Sequence, residues 1–177
     1  MSEDITKYGS EKIKLYEKKY DEIKVRTITD VFNSENKSLV LTKKEIGEMG
    51  IRALIVYAIT DLISYFNIGK VMSAEQVAQT TDLIIEEYSQ LKIDDFKLCF
   101  NRAKKGEYGQ VYDRLDGQVI FGWLEKYAIE RFRTADNISY YEHLENKQSF
   151  LNTSERLKKE AHERELEVFK LKYNEHK

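Results

Sequence analysis

The chain has 177 residues, of which 41% are hydrophobic and 34% charged, with a formal net charge of -2. This length suits about one globular domain, and the near-neutral charge excludes a uniformly basic nucleic-acid-binding protein. Proline is absent from the sequence, which removes the strongest helix breaker and favours long helices.

The first helix is predicted over about Ser10–Asn33, where apolar residues recur every three to five positions. A polar turn follows, and Ser38–Leu41 is the one candidate strand. Thr42–Glu45 has the pattern of a capping box and predicts the start of a second helix that continues to about Phe66. This helix is apolar on most sides, which is typical of the centre of a bundle.

Further helix starts are predicted at Ser73–Gln76, which is a second capping box, and at Asp94. The first of these helices runs to about Gln90 and the second from Asp95 to Lys105. A third, capped by Asp116, runs to about Thr134. Its apolar stripe has regular helical spacing and comprises Ile120, Trp123, Leu124, Tyr127, Ala128 and Arg131.

The composition changes after Asp136, where Glu, Lys and Arg become frequent around a thin apolar stripe. The pattern fits a long helix or a pair of helices, which pack on a partner or a second copy as a coiled coil, or else form a frayed charged tail. We therefore predict an all-α fold, with a compact helical bundle domain over 1-136 and an extended charged helix or tail over 137-177.

The membrane and redox signals are simple. The most apolar run, residues 51–68, contains Arg52 and Asp61, so we interpret it as a core helix and expect no membrane span. The single cysteine, Cys99, lies in an apolar pattern that predicts a buried, inert thiol. No signal-peptide pattern is visible at Met1, and a cytoplasmic location is expected.

Motifs for chemistry are missing from the sequence. Gly69-Lys70 lacks the upstream glycine and the following Ser or Thr of a phosphate-binding loop. His143, His162 and His176 do not have the spacing of a zinc site. We therefore expect no catalytic residues, no metal and no cofactor, although an enzyme whose site is assembled from scattered residues stays a third and weaker alternative.

Basic and aromatic residues are interleaved between Phe96 and Arg133, as they are in single-strand-binding surfaces. The turn Gly106–Gly109 could let the backbone approach a phosphate. The opposite interpretation is that the aromatic residues form the core and that nearby acids dilute the charge. The candidate residues for binding nucleic acid or an acidic partner are Lys104, Lys105, Arg114, Arg131 and Arg133.

The segment Ser73–Arg133, with YGQVYDRLDGQVIFGWLEKY at its centre, resembles small all-α proteins of phages and mobile elements of gut bacteria. More loosely, its layout resembles that of phage replicative-helicase loaders, in which a compact helical domain carries a helical tail that engages the helicase. Those loaders have a proline-containing turn after the domain, which this chain lacks, so the resemblance assigns no functional residues.

The resemblance implies a non-enzymatic accessory protein of a phage or mobile element in a bacterial host cell. We expect a DNA-replication adaptor that binds a helicase or another replication protein, and single-stranded DNA as a further ligand. The alternative is a structural or assembly protein of a phage particle, which interacts or oligomerises through its long C-terminal helix.

Overall fold

The computed structural model describes residues 11 and 14–174, with side chains up to residue 165. The helices are α1 (residues 14–22), α2 (Ile28–Asn33), α3 (Leu39–Tyr65), α4 (Ala74–Glu87), α5 (Ile93–Lys104) and α6 (Gly117–Asn174). Two short strands, β1 (Lys70–Val71) and β2 (Arg114–Leu115), pair in parallel. The fold is all-α with a long C-terminal helix, which confirms the predicted fold class.

The chain divides into two compact units, Met1–Arg131 and Phe132–Lys177. The division lies within α6, five residues before the boundary that the composition predicts. In the first unit, α3 packs against α4 and α5, and α2 packs against α5. The centre of α3 is buried, as expected from its all-round apolar sequence, and its fully buried residues include Ile51, Leu54, Ile55, Ile59 and Leu62.

The start of α3 differs from the prediction. The helix begins at Leu39, so Thr42 lies inside it and does not cap it, and Ser38 makes only an isolated bridge to Lys92. The amides of Leu39 and Val40 donate to the carbonyls that follow α4, at 2.8 and 3.0 Å. A neighbouring segment thus satisfies the first amides of the helix, which a side-chain cap would otherwise do.

Gly47 interrupts α3 with a φ of 76° and a ψ of 176°. This conformation lies outside the helical region and strains any residue that has a Cβ atom. The break separates the short first part of α3 from its buried second part. The sequence predicted one uninterrupted helix here, because a lone glycine inside a periodic apolar pattern does not reveal its dihedral angles.

The N-terminal segment forms two helices where one was predicted. Thr27 and Asp30 form a capping box that starts α2, and residues 23–26 are irregular. Ser10, the predicted start of the first helix, lies outside the described residues. The predicted box at Ser73–Gln76 is confirmed at the start of α4, where Ser73 Oγ accepts the Gln76 amide at 3.3 Å.

The start of α5 also corrects the sequence interpretation. Its N-cap residue is Lys92 and not the predicted Asp94, and the Lys92 amide donates to Asp95 Oδ2 at 2.7 Å. Asp94 is instead buried in the first turn of the helix and accepts a bond from Asn36 Nδ2 at 3.1 Å. The helix begins at Ile93, two residues earlier than predicted, and both acids lie in its first turn.

Across the part of the chain that the structure describes, no helix combines the length and the apolar character that a bilayer crossing needs.

Candidate functional site

Three of the five predicted cations already have an acidic partner within the first unit. Lys104 is only 17% exposed at its side chain, and its ammonium lies 2.8 Å from Asp61 and 5.5 Å from the ring centre of Tyr65. Arg114 is exposed but its Nε lies 3.2 Å from Asp116. Both charges are therefore already balanced within the chain.

Arg131 is bound more tightly still. Its Nε donates to Asp95 Oδ1 at 2.8 Å, and its guanidinium lies 4.9 Å from the ring centre of Phe32. Lys105 is the C-cap residue directly after α5, Arg133 belongs to the second unit, and both are exposed. Among the described residues, neither of these two has an acidic group within ion-pair distance. Nucleic-acid binding by the five residues stays a prediction.

The polar cluster that the structure does assemble is centred on Asp95, whose side chain is fully buried. Its carboxylate accepts bonds from the Lys92 amide, from Tyr127 Oη at 2.6 Å and from Arg131 Nε. Burial, followed by the proximity of the Asp95 charge, raises the pKa of Tyr127 above its ordinary range. The Asp95 carboxylate is thus occupied by donors of the chain itself, and the cluster joins α5 to α6 at Tyr127 and Arg131.

Lys92 extends the same cluster toward α2. Its ammonium donates to the carbonyl oxygens of Val31, Phe32 and Ser34 at 3.0, 3.3 and 2.7 Å. A cation at a helix C-terminus balances the carbonyl groups that lack helical partners. Lys92 therefore has a structural role, which the sequence analysis missed because its partners lie about 60 residues earlier in the chain.

Cys99 is fully buried, which confirms the predicted burial. Burial raises the pKa of its thiol to about 12, an effect that Tyr108 and Arg102 only partly oppose. The thiolate is the nucleophilic form of cysteine, so a thiol with this pKa is a poor nucleophile near neutral pH.

The glycine-rich segment after α5 forms a turn and one wall of a pocket. Gly106 and Gly109 have φ angles of 78° and 108°, which favour glycine at both positions. The pocket beside them has a volume of about 250 Å³. It is lined by Tyr108, Gly109, Gln110, Val111, Tyr112, Asp113, Arg114, Val119 and Trp123.

The aromatic residues of this region divide between core and surface. Trp123 is 5% exposed and stacks on Phe66, with ring centres 6.0 Å apart, and Phe100 and Tyr127 are buried. Tyr112, in contrast, is 82% exposed. The core interpretation is therefore right for most of the aromatic stripe. Tyr112 is the exception in the first unit, because it is exposed and adjoins the pocket.

The described part of the second unit is helical, and nearly all its described side chains are exposed. Large apolar residues are among them, which we call the exposed helical surface: Phe132, Tyr140, Tyr141, Leu144, Phe150, Leu151 and Leu157. The most exposed is Phe150, at 74%. The predicted continuation of the stripe at Val168 and Leu171 falls beyond the described side chains.

A match to a protein family covers the part of the chain that holds these features. A family of unknown function, DUF6633, matches residues 70–176, from β1 through α6. The chain belongs to the DUF6633 family. No curated protein and no solved structure matches the chain. The matched region contains both the pocket at Tyr112 and the exposed helical surface.

Within the described residues, no group of three or more His, Cys, Asp or Glu side chains is placed to hold a metal ion.

Proposed function

We propose that this DUF6633 protein is a non-enzymatic adaptor that binds a protein partner through its exposed helical surface. The single observation that carries the proposal is the exposure of seven large apolar residues along one helical segment, from Phe132 to Leu157. Soluble monomers rarely leave such residues exposed in succession, and contiguous apolar surface usually marks an interaction site.

The helix itself supports a binding role. A single helix in water gains little from backbone bonds alone, and most of the stability of helices in proteins comes from packing of an apolar face. In the described part of the second unit, Arg156 and Glu160 form an exposed ion pair at 3.5 Å. Such a pair contributes about 0.3–0.5 kcal/mol. A partner that covers Phe150 and Leu157 would add the missing apolar packing.

Charge favours a protein over a nucleic acid at this surface. From Phe132 to Lys177 the sequence has nine Lys and Arg residues and nine Asp and Glu residues. Nucleic-acid binding depends on excess positive charge that neutralises phosphates. A segment without net charge, with apolar residues between its charges, is better suited to the mixed surface of another protein.

The helical spacing also favours a different protein over a second copy of this chain. Lys147 and Ser154 are one heptad apart, and both lie on the same side of the helix as Phe150. In a parallel, in-register self-pairing, two Lys147 side chains would meet in the seam, where apolar residues are preferred. A partner with an acidic or small residue at that position avoids this repulsion.

DNA replication of a phage or mobile element, in the cytoplasm of a bacterial host, is the setting that we propose for this adaptor. The support is the resemblance of Ser73–Arg133 to small phage proteins and, loosely, to helicase loaders. The partner would then be a helicase or another replication protein. Assembly of a phage particle is the alternative setting, and it differs in requiring self-association through α6.

The proposal is tested by photo-crosslinking in the native host, with p-benzoylphenylalanine in place of Phe150. We expect one discrete adduct with a protein of different mass. Replacement of Leu157 by Glu should abolish the adduct, because it puts a charge into the apolar contact. The matched control places the crosslinker at Ser149 and Glu at Asn152, which lie together on the polar side of the same helix.

Two outcomes would contradict the adaptor. Equal crosslinking from positions 149 and 150 would show that the apolar side is not the contact surface. An adduct of two chains of 20.9 kDa, lost with Leu157→Glu, would instead support the assembly alternative.

A further inference from the structure

A second surface, in the first unit, has the features of a peptide-binding site. The pocket beside Tyr112 has a volume of about 250 Å³ and is lined by both apolar and polar groups. Small-molecule sites typically have roughly 300–1,000 Å³. The pocket is thus small for a cofactor and suits one large side chain.

The wall of the pocket offers unused backbone groups. No helix or strand is assigned to residues 109–112. Outside helices and strands, the described structure has no backbone–backbone hydrogen bond that involves Gln110, Val111 or Tyr112. Backbone donors and acceptors of this kind are a ready template for an extended peptide, which gains affinity from main-chain bonds and specificity from side-chain pockets.

The side chains in the pocket define the chemistry of the ligand. Val111, Val119 and Trp123 provide apolar lining, and Tyr112 lies beside them with most of its ring exposed. An exposed aromatic ring next to a pocket with an apolar wall resembles the anchor residues of protein interfaces. A large aliphatic or aromatic side chain fits this lining.

Charge at the pocket argues against a phosphate ligand. The two charged residues in the lining, Asp113 and Arg114, each lie near an opposite charge, with Lys70 at 3.8 Å and Asp116 at 3.2 Å. Arg114 is therefore already balanced by an acid, and a phosphate would compete with Asp116 for it. An uncharged ligand does not compete with Asp116 for Arg114.

We propose that residues Gln110–Tyr112 and the adjoining pocket bind an extended segment of a partner polypeptide that inserts one large apolar side chain beside Trp123. The inference goes beyond the proposed function, because it concerns the first unit and requires nothing of the exposed helical surface. If both surfaces bind, the adaptor has two independent attachment points.

The test uses the full chain and a displayed library of random twelve-residue peptides. We expect the selected peptides to share a large apolar residue and to change the fluorescence of Trp123, the only tryptophan in the chain. Tyr112→Ala should weaken their binding by tenfold or more. Tyr112 is 82% exposed, so this substitution should leave the circular dichroism spectrum unchanged. Tyr141→Ala, which removes a ring that is 64% exposed in the second unit, is the matched control.

Several results would overturn the inference. They are failure to select any peptide, selected peptides that bind Tyr112→Ala as tightly as the parent, and binding without a change in Trp123 emission. A thymidine oligonucleotide that changes the emission, and loses this effect with Tyr112→Ala, would assign the pocket to nucleic acid instead. Peptide binding that survives Leu157→Glu separates this site from the exposed helical surface, whatever the outcome of the crosslinking.

Discussion

Asp95 illustrates how one buried carboxylate can determine the packing of two helices. Lys92 lies at the start of α5, and Tyr127 and Arg131 lie on α6. Each of the three donates a hydrogen bond to Asp95. Bonds to a charged group are stronger than neutral ones, at about 1.5–3 kcal/mol each. The cost of burying the carboxylate is offset only while these donors remain in place.

Replacement of Asp95 by Asn should therefore destabilise the fold. The substitution keeps the shape of the side chain but leaves Arg131 without its acid, and breaking such a buried pair costs about 3 kcal/mol. Urea unfolding followed by circular dichroism measures the loss. Asp113→Asn is the control, because Asp113 is 82% exposed and lies 3.8 Å from Lys70, so its removal should change stability by less than about 0.5 kcal/mol. Equal effects of the two substitutions would contradict the structural role of Asp95.

The predicted binding cations show what a sequence can and cannot say about single residues. The positions of Lys104 and Arg131 in basic, aromatic stretches are visible in the sequence. Their partners Asp61 and Asp95 lie 43 and 36 residues away, and only the fold brings these acids within bonding distance. Local composition therefore predicts charge but not whether that charge is free to bind a ligand.

At the scale of elements, the local rules succeeded where local bonds determine the structure. The box at Ser73–Gln76 starts α4 because its two side chains satisfy amides within the same turn. The similar pattern at Thr42–Glu45 failed because Leu39 bonds to Leu91, so the helix starts earlier, and Glu45 pairs with Lys37 and Tyr16. The two sequences look alike, and the difference between them comes from tertiary contacts.

The break in α3 leads to a prediction about glycine. Gly47→Ala should destabilise the protein by about 1–2 kcal/mol, because alanine is strained at a φ of 76° even though no atom obstructs its Cβ. Gly122→Ala should instead stabilise it by up to about 1 kcal/mol, because Gly122 lies inside α6 with open space around a Cβ. Both changes are measured from urea unfolding midpoints.

The pair of alanine substitutions makes this comparison specific to conformation. Both add the same methyl group where the structure leaves room for it. If Gly47→Ala were neutral, α3 would be able to run straight through residue 47, and the break would not be a requirement of the fold.

On the scale of the whole molecule, the first unit contains all the buried apolar residues of the described chain, and the second presents exposed ones. The all-α class and the contrast between a bundle and a charged C-terminal helix were predictable, since they follow from the lack of proline and the change of composition. The pocket was not predictable, because its lining residues, Tyr112 and Trp123 among them, come together only in the folded chain.

The many buried phenols and the buried thiol predict a loss of stability in alkali. Burial raises the pKa of Cys99 and of Tyr88 to about 12, and a bond to Asp21 raises that of Tyr57 to about 12. In an unfolded chain, cysteine and tyrosine titrate near pH 8.5 and 10. Between about pH 9 and 12 the folded state therefore retains protons that the unfolded state releases, and the free energy of unfolding falls as pH rises.

Tyr20 provides the variant that tests this argument. Burial raises the pKa of Tyr20 above its ordinary range, and its buried hydroxyl has no hydrogen-bond partner within the described structure. Tyr20→Phe should therefore be at least as stable as the parent at pH 8, since no bond is lost. Above pH 10 the free energy of unfolding should fall less steeply with pH in Tyr20→Phe than in the parent. The two slopes should differ by up to about 1.4 kcal/mol per pH unit, because the variant lacks one ionisable proton. Urea midpoints at pH 8, 9, 10 and 11 give both slopes, and parallel curves for the two proteins would show that Tyr20 does not contribute to the alkaline transition.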